Sequence, residues 1–237
     1  MDFHNLLENL KNQSFFSNLI IERGIEKESL RVTNNGYISN KKHPETLGSS
    51  YTNPSITTDF AESLIEIVTP TYTNVDELYE KLKIIHVFIN QNLKDGEMLW
   101  PFSMPPKIED ESKINIATYG KTNMGRLKHV YRKGLAIRYG KTMQCVSGIH
   151  YNFSISDKSL KHLGYSSQNE KNKAYLNLIR NFKRLFWFVL IEFGNSPVVD
   201  KSFVAGRAND LDILNESDLF KPYATSLRMS DIGYQSK

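Results

Sequence analysis

Two glutamates on one segment are the first residues in this sequence that could do chemistry. Glu26 and Glu28 lie in Glu22–Val32, whose alternating residues predict a strand. Residues two apart on a strand face the same way, so these carboxylates would repel each other at about 5–7 Å. An oxygen-liganded cation such as Mg²⁺ would relieve that repulsion. A solvated edge strand, with Lys27 and Arg31 as ionic partners, is the alternative interpretation.

A second acidic set, Asp59, Glu62 and Glu66, lies inside the apolar stretch Ile56–Thr69. Asp59 and Glu62 resemble a helix capping box, but the β-branched residues of Leu64–Thr69 predict a strand, and we expect a strand. A carboxylate buried alone is costly, so an acid in this stretch needs a cation or a hydrogen-bond network. The polar outer face of an amphipathic element is the alternative, and it suits Glu62 better than Glu66.

Polar residues recur along a third segment, Met143–Ser154, which is predicted to be a strand. Strand parity places Gln144, Gly148, His150 and Asn152 on one face and mostly apolar residues on the other. A glycine within a strand often marks the close approach of a ligand or another backbone. His150 could be a metal ligand, a charge partner for carboxylates or a structural histidine of the core.

A cluster of cations follows Asn123. Residues 125–139 are predicted to form a helix, and six basic side chains lie along it: Arg126, Lys128, His129, Arg132, Lys133 and Arg138. A helix N-terminus with flanking arginines suits an anion such as phosphate or carboxylate, whereas a solvated basic face is the alternative. Nucleic-acid binding is not favoured, because the formal net charge is only +4 and few aromatic residues lie nearby.

The loop from Pro222 to Tyr234 mixes aromatic residues, hydroxyl groups and one arginine, Arg228. Such an arginine suits a bidentate contact with the carboxylate of a small polar substrate. An ordinary surface loop is the alternative.

The elements that must position these residues belong to one globular chain. Its 237 residues are 40% hydrophobic and 24% charged, with a single cysteine, which excludes an internal disulfide. The longest apolar run is too short for a membrane span and no secretory signal is visible, so we expect a soluble, cytoplasmic protein. Helices are predicted over 75–93, capped by Asn74, and over 169–193. Because helices and strands do not alternate strictly, we predict an α+β fold with an antiparallel sheet.

Taken together, these stretches resemble the proteobacterial type of glutamate–cysteine ligase, in which they occur in the same order. The matching segments are Arg23–Val32, His43–Ser49, Thr57–Glu62, Trp100–Pro105, Ser147–Phe153 and Tyr223–Arg228. The resemblance implies a fold similar to glutamine synthetase, with an antiparallel sheet curled into a funnel and flanked by helices. It also implies an ATP-dependent ligase that joins L-glutamate to L-cysteine through γ-glutamyl phosphate, with Mg²⁺ as cofactor and Mn²⁺ as an alternative.

The same resemblance implies roles for individual residues. Carboxylates of the Mg²⁺ cluster are expected at Glu26, Glu28, Asp59 and Glu66, with His150 as a further ligand or neighbour. Walls of the cysteine pocket are expected at Phe60, Tyr131 and Tyr234. Arg228 is expected to clamp a substrate carboxylate, and Arg132 to face phosphate.

The chain departs from the family pattern in its length, because members of the family are considerably longer. We therefore expect residues 1–237 to be the N-terminal part of a single catalytic domain, with an incomplete funnel and no turnover in isolation. A ligase that joins glutamate to another amine is the nearest rival, and a nucleic-acid-binding module is a remoter one. We expect no membrane partner, and the sequence does not indicate an oligomeric state.

Overall fold

The longest strand, β1 (Ile21–Val32), lies between two antiparallel partners, β3 (Leu64–Val68) on one side and β5 (Ile149–Ile155) on the other. β2 (Ile56–Thr58) extends the sheet beyond β3, and the short β4 (Met98–Leu99) pairs with the end of β1. The predicted antiparallel sheet is thus confirmed for the part of the chain that the computed structural model describes. That part comprises His4, Asn5, Glu8 and residues 19–194, 197–225 and 227.

Helices and a second small sheet complete the described chain. The helices are α1 (Val75–Asn92), α2 (Asn123–Tyr139), α3 (Asp157–His162) and α4 (Gln168–Phe193). The second sheet has the order β6 (Val198–Asp200), β8 (Asp218–Phe220), β7 (Asp212–Ile213). None of the helices described is long and apolar enough to cross a membrane.

The helix predicted over 75–93 is confirmed as α1, and its start is explained by local chemistry. The Asn74 side chain accepts hydrogen bonds from the backbone N–H groups of Asp76 and Glu77, as expected of an N-cap. The buried Ile85 and Ile89 of α1 belong to one apolar cluster with Ile65 and Ile67 of β3. The apolar stripe of the helix therefore covers one face of the sheet.

The ambiguous stretch 56–69 forms two strands joined by a turn, which confirms the strand prediction and excludes the helix. The turn contains Asp59 and Glu62, the pair that resembles a capping box. Glu62 is only 5% exposed, and its carboxylate accepts bonds from the backbone N–H of His43 and from both the N–H and the hydroxyl of Thr118. Glu62 is therefore a buried structural residue and not part of a polar outer face.

The strand predicted from Met143 begins six residues later, so that boundary was wrong. Residues 142–144 form a 3₁₀ turn, and β5 starts at Ile149. Contacts distant in sequence explain the difference. The N–H of Ser147 donates to the carbonyl of Ser103, and the N–H of Gly148 donates to the carboxylate of Glu28, so neither is available to a strand ladder.

The predicted helix over 169–193 is confirmed as α4, and three short strands follow it. A capping box formed by Ser167 and Glu170 starts α4. The structure forms β6, β7 and β8 in the turn-rich stretch after Pro197. Strands of two or three residues are too short for a periodic sequence signal.

A buried ion pair ties the end of β1 to the following loops. The Arg31 side chain is 1% exposed and contacts both carboxylate oxygens of Glu97, at 2.9 and 2.8 Å. Its other terminal nitrogen donates to the carbonyls of Lys41, Lys42 and Glu62. Arg31 is therefore an internal anchor, which corrects its interpretation as a partner on a solvated strand edge.

Candidate active site

The register of β1 and β5 brings the predicted metal residues of these strands together. Glu26 lies opposite His150, and the His150 Nδ1 atom is 3.2 Å from Glu26 Oε2. Asn152, on the same face of β5, donates from Nδ2 to Glu26 Oε1 at 3.0 Å. The His150 side chain is 69% exposed, so it is not a histidine of the core.

The neighbouring β3 and the turn before it add two more carboxylates. Glu66 lies opposite Glu28 across the β1–β3 ladder, and Asp59 follows β2. The carboxylate of Glu28 accepts a 2.7 Å bond from the N–H of Gly148. Three separate segments therefore direct Glu26, Glu28, Asp59 and Glu66 towards one region of the sheet.

Burial and mutual repulsion make Glu28, Asp59 and Glu66 hard to ionise together. Burial, followed by the negative charges of Asp59 and Glu66, raises the pKa of Glu28 to about 7, against the lowering effect of the Gly148 N–H. Burial also raises the pKa of Asp59, although Arg132 counteracts it. The pKa of Glu66 is raised by burial and then by Asp59 and Glu26. A nearby cation would stabilise all three carboxylates in their charged form.

Arg132 approaches the acidic region from α2. Its Nε donates to the carbonyl of Asp59, and its Nη1 donates to the carbonyl of Lys128 at 3.0 Å. Its guanidinium carbon lies 4.7 Å from the centroid of the Tyr119 ring. The Tyr119 hydroxyl in turn donates to the carbonyls of Thr58 and Asp59. Tyr119 therefore holds both the arginine and the turn that carries Asp59.

The donor set suits a hard divalent cation, although no cage is preformed. Among the described residues, no three Asp, Glu, His or Cys side chains are arranged to hold one ion. Mg²⁺ typically takes only one or two carboxylates and completes its coordination with water and substrate phosphates. Oxygen donors with raised pKa values, spread over the site and not converging on one point, fit that mode of binding.

The other predicted site residues are Phe60, Tyr131, Arg228 and Tyr234. Phe60 is 1% exposed and lies in the main apolar cluster. Tyr131 is 59% exposed on α2. Arg228 and Tyr234 lie outside the described residues. The roles of these residues remain predictions.

Two polar side chains were not recognised as unusual from the sequence. Gln144 Nε2 and Ser147 Oγ are buried and lack a hydrogen-bond partner among the described residues. Both precede Gly148, whose N–H contacts Glu28. Buried groups of this kind generally find a partner, so we expect a polar ligand or water beside them. No sequence signal could have shown this, because it depends on their burial.

Comparison with known proteins gives a consistent result. The family model described as glutamate-cysteine ligase matches residues 5–237. A glutamate–cysteine ligase of Hahella chejuensis is 48% identical over 222 residues, which is 91% of this chain and 42% of that protein. A glutamate–cysteine ligase of Pseudomonas entomophila is 50% identical over 219 residues, which is 90% of this chain and 41% of that protein. The chain thus spans about two fifths of the length of the curated relatives it matches.

Solved structures agree with the sequence comparisons. The crystal structure of a glutamate–cysteine ligase from Francisella tularensis in complex with AMP matches with a TM-score of 0.83 and 38% identity. The match covers 91% of this chain and 43% of that one. A bifunctional glutathione synthetase from Pasteurella multocida matches with a TM-score of 0.77 and 31% identity, over 98% of this chain and 29% of that one.

The antiparallel sheet with its row of acids therefore has the fold that these two ligases share. More narrowly, the chain belongs to the glutamate–cysteine ligase family. Membership does not favour the nucleic-acid-binding interpretation.

Proposed function

We propose that this chain carries the metal- and nucleotide-binding part of an ATP-dependent glutamate–cysteine ligase active site. The observation that supports this most is the row of acids with raised pKa values on β1, β3 and the turn before β3. A triphosphate and a substrate carboxylate are both anions, so a site that joins them needs cations. The AMP-bound relative supports nucleotide binding in this fold.

The proposed reaction has two steps. An oxygen of the glutamate γ-carboxylate attacks the γ-phosphorus of ATP, and ADP leaves. The cysteine amine then attacks the carbonyl carbon of γ-glutamyl phosphate, inorganic phosphate leaves, and the amine loses a proton. Little covalent chemistry falls to the protein, so its work is positioning and charge stabilisation.

Individual residues divide this work. Mg²⁺ would neutralise charge on the triphosphate, and Glu26, Glu28, Asp59 and Glu66 would hold it, with His150 beside Glu26. Arg132, fixed by Asp59 and Tyr119, would bind the transferred phosphoryl group. We also propose that Phe60, Tyr131 and Tyr234 form walls of the cysteine pocket. Arg228 would clamp a substrate carboxylate.

Residues 1–237 are proposed to be the N-terminal part of one catalytic domain. In the described sheet, β5 pairs only with β1, so its outer edge is open. We expect no turnover by the chain alone, and turnover when it is fused to the remaining part of the Hahella chejuensis relative. Release of ADP that requires both glutamate and cysteine would support the proposal. Robust turnover by residues 1–237 alone would refute the proposal that they are only part of a catalytic domain.

A second candidate is a ligase that joins glutamate to a different amine. The same fusion separates the two, because its turnover can be compared between cysteine and other small amines. Preference for cysteine supports the first proposal, whereas preference for another amine supports the second.

A further inference from the structure

A cavity of about 440 Å³ lies between the loop that follows β4 and the small second sheet. Its lining comes from residues 35–36, the loop 100–107, strand β6, and residues 217 and 218 at the start of β8. Among the described residues, none of those assigned to the acidic site lines this space, which we call the Trp100–Asp218 cavity. A ligand in it would therefore not depend on the proposed function.

Hydrogen bonds between distant segments hold the walls of the Trp100–Asp218 cavity. The backbone N–H of Trp100 donates to the carbonyl of Leu30 in β1, and its indole Nε1 donates to the carbonyl of Met104, both at 2.7 Å. The N–H of Ile108 donates to the hydroxyl of Ser202, which follows β6, at 2.9 Å. The loop is thus tied to both sheets, so the cavity belongs to the folded structure.

Most of the lining is apolar, and two of its side chains are aromatic. The rings of Trp100 and Phe102 meet edge to face, with centroids 5.4 Å apart. Phe102 is 58% exposed, so much of its surface is accessible to a ligand. The other apolar residues of the lining are Met104, Pro105, Pro106, Val198 and Val199. Aromatic rings of this kind attract apolar groups and cations alike.

Two aspartates line the cavity from the second sheet. Asp200 of β6 and Asp218 of β8 are directly opposite each other in the antiparallel register, where like charges repel. Asp200 Oδ1 accepts from the N–H and hydroxyl of Ser202, and Asp218 Oδ2 accepts from the side chains of Asn215 and Ser217. Within the described chain, the other oxygen of each carboxylate has no hydrogen-bond partner, and no lysine or arginine pairs with either aspartate.

Negative charge is in excess in this lining. Of the described residues that line the cavity, Lys107 is the one basic residue, against two aspartates. Lys107 is exposed and forms no ion pair with a described carboxylate. A cation in the cavity would therefore relieve the repulsion between Asp200 and Asp218.

The walls favour an organic cation over a metal ion. Among the described residues, no three Asp, Glu, His or Cys side chains are grouped to hold a metal. Mg²⁺ and Ca²⁺ need several oxygen ligands, which the apolar and aromatic walls do not supply. An ammonium group carries its own apolar body, which those walls can contact.

We propose that the Trp100–Asp218 cavity binds the primary ammonium group of a small amphipathic amine. The ammonium would donate charge-assisted hydrogen bonds to the unpartnered oxygens of Asp200 and Asp218. The apolar body of the amine would pack against Trp100 and Phe102. The site is distinct from the one proposed for Mg²⁺ and the nucleotide.

Titration of the 237-residue chain with 2-phenylethylammonium chloride, at constant ionic strength, tests this proposal through tryptophan fluorescence. The chain has two tryptophans, and Trp187 is 59% exposed on α4 and outside the lining, so Trp187→Phe leaves Trp100 as the reporter. We expect a saturable change that fits one site. Neutral 2-phenylethanol should bind at least about tenfold more weakly because it lacks the charge, and 3-phenylpropionate more weakly still.

Matched variants test the two carboxylates. Asp200→Asn and Asp218→Asn remove the charge but keep an oxygen that can accept the local hydrogen bonds, so both should fold. Each should weaken binding of 2-phenylethylammonium at least about tenfold. Asp212→Asn, at an exposed position on β7 of the same sheet and outside the lining, should bind as wild type does.

Should either variant fail to fold, amide NMR shifts of wild-type residues 198–200 and 217–218 on addition of the amine give an independent readout. Absence of saturable binding, absence of those shifts, or equal affinity for 2-phenylethanol would overturn the proposal. Unchanged affinity in folded Asp200→Asn and Asp218→Asn variants would overturn it as well. MgATP binding is measured on the same samples, so failure of one site is distinguishable from failure of the other.

Discussion

Glu26 and Glu28 are two residues apart on one strand, yet their environments differ. Glu26 contacts the side chains of His150 and Asn152, whereas Glu28 accepts a backbone N–H from Gly148 and faces Asp59 and Glu66. The alternation of side chains along the strand is enough to place both glutamates on one face. Their different partners come from strands and turns that are far away in sequence.

The pKa of about 7 at Glu28 predicts a specific dependence of stability on pH without metal. The folded state keeps the proton to higher pH than the unfolded chain, whose glutamate ionises near 4.5. The contribution of Glu28 to stability should therefore be highest below that value and fall as the pH rises to about 7, by about 3 kcal/mol. Urea unfolding at pH 4.5, 6 and 8 measures this.

The matched variant for that experiment is Glu28→Gln, which cannot ionise. It should lose most of the pH-dependent destabilisation and be more stable than wild type at pH 8 without metal. Saturating Mg²⁺ should stabilise wild type more than the variant at that pH. An identical pH profile in both proteins would show that Glu28 is not the group responsible.

Tyr119 is the residue whose importance the sequence did not reveal. Its ring contacts Arg132 and its hydroxyl contacts Asp59, which is 60 residues earlier. Tyr119→Phe keeps the ring but leaves two buried carbonyls without that donor, so we expect a loss of about 1–2 kcal/mol in unfolding free energy. Chemical denaturation tests this. A variant as stable as wild type would mean that the hydroxyl contributes nothing to the turn.

Helix α2 carries the basic side chains near the acidic region, and its start depends on Thr122. The Thr122 hydroxyl accepts from the N–H of Gly125, so the helix begins two residues earlier than the predicted Gly125. Thr122→Ala should cost about 1 kcal/mol of stability through the lost cap. Thr71→Ala, at an exposed position outside any helix, is the matched control and should change stability little. Equal effects of the two changes would contradict the capping role.

The whole molecule shows which parts of the fold were predictable from the sequence. The alternation of β1 and the cap at Asn74 are local signals, so both predictions were confirmed. The start of β5 and the burial of Glu62 depend on contacts with Ser103, Glu28 and Thr118, which no local pattern contains. The predicted convergence of acids drew on the family resemblance, because spacing alone left each of them with a structural alternative.

The buried pair of Arg31 and Glu97 is expected to matter for the whole fold. Glu97→Gln would leave the Arg31 charge uncompensated in the interior, which typically costs about 3–5 kcal/mol. The exposed pair of Lys83 and Glu80 is the control, and Glu80→Gln should cost under about 1 kcal/mol. Thermal and urea unfolding of both variants test the difference. Similar losses in the two variants would contradict the assignment of Arg31 as an internal anchor.

The central claim is that acids from separate segments bind a nucleotide through a shared divalent ion. Calorimetric titration of the chain with ATP, in the presence of Mg²⁺ or of a chelator, tests it most directly. We predict binding that requires Mg²⁺ and weakens at least about tenfold in Glu26→Gln and Glu66→Gln but not in Glu22→Gln, on the same face of β1. Binding that is indifferent to Mg²⁺, or equal in all four proteins, would contradict it.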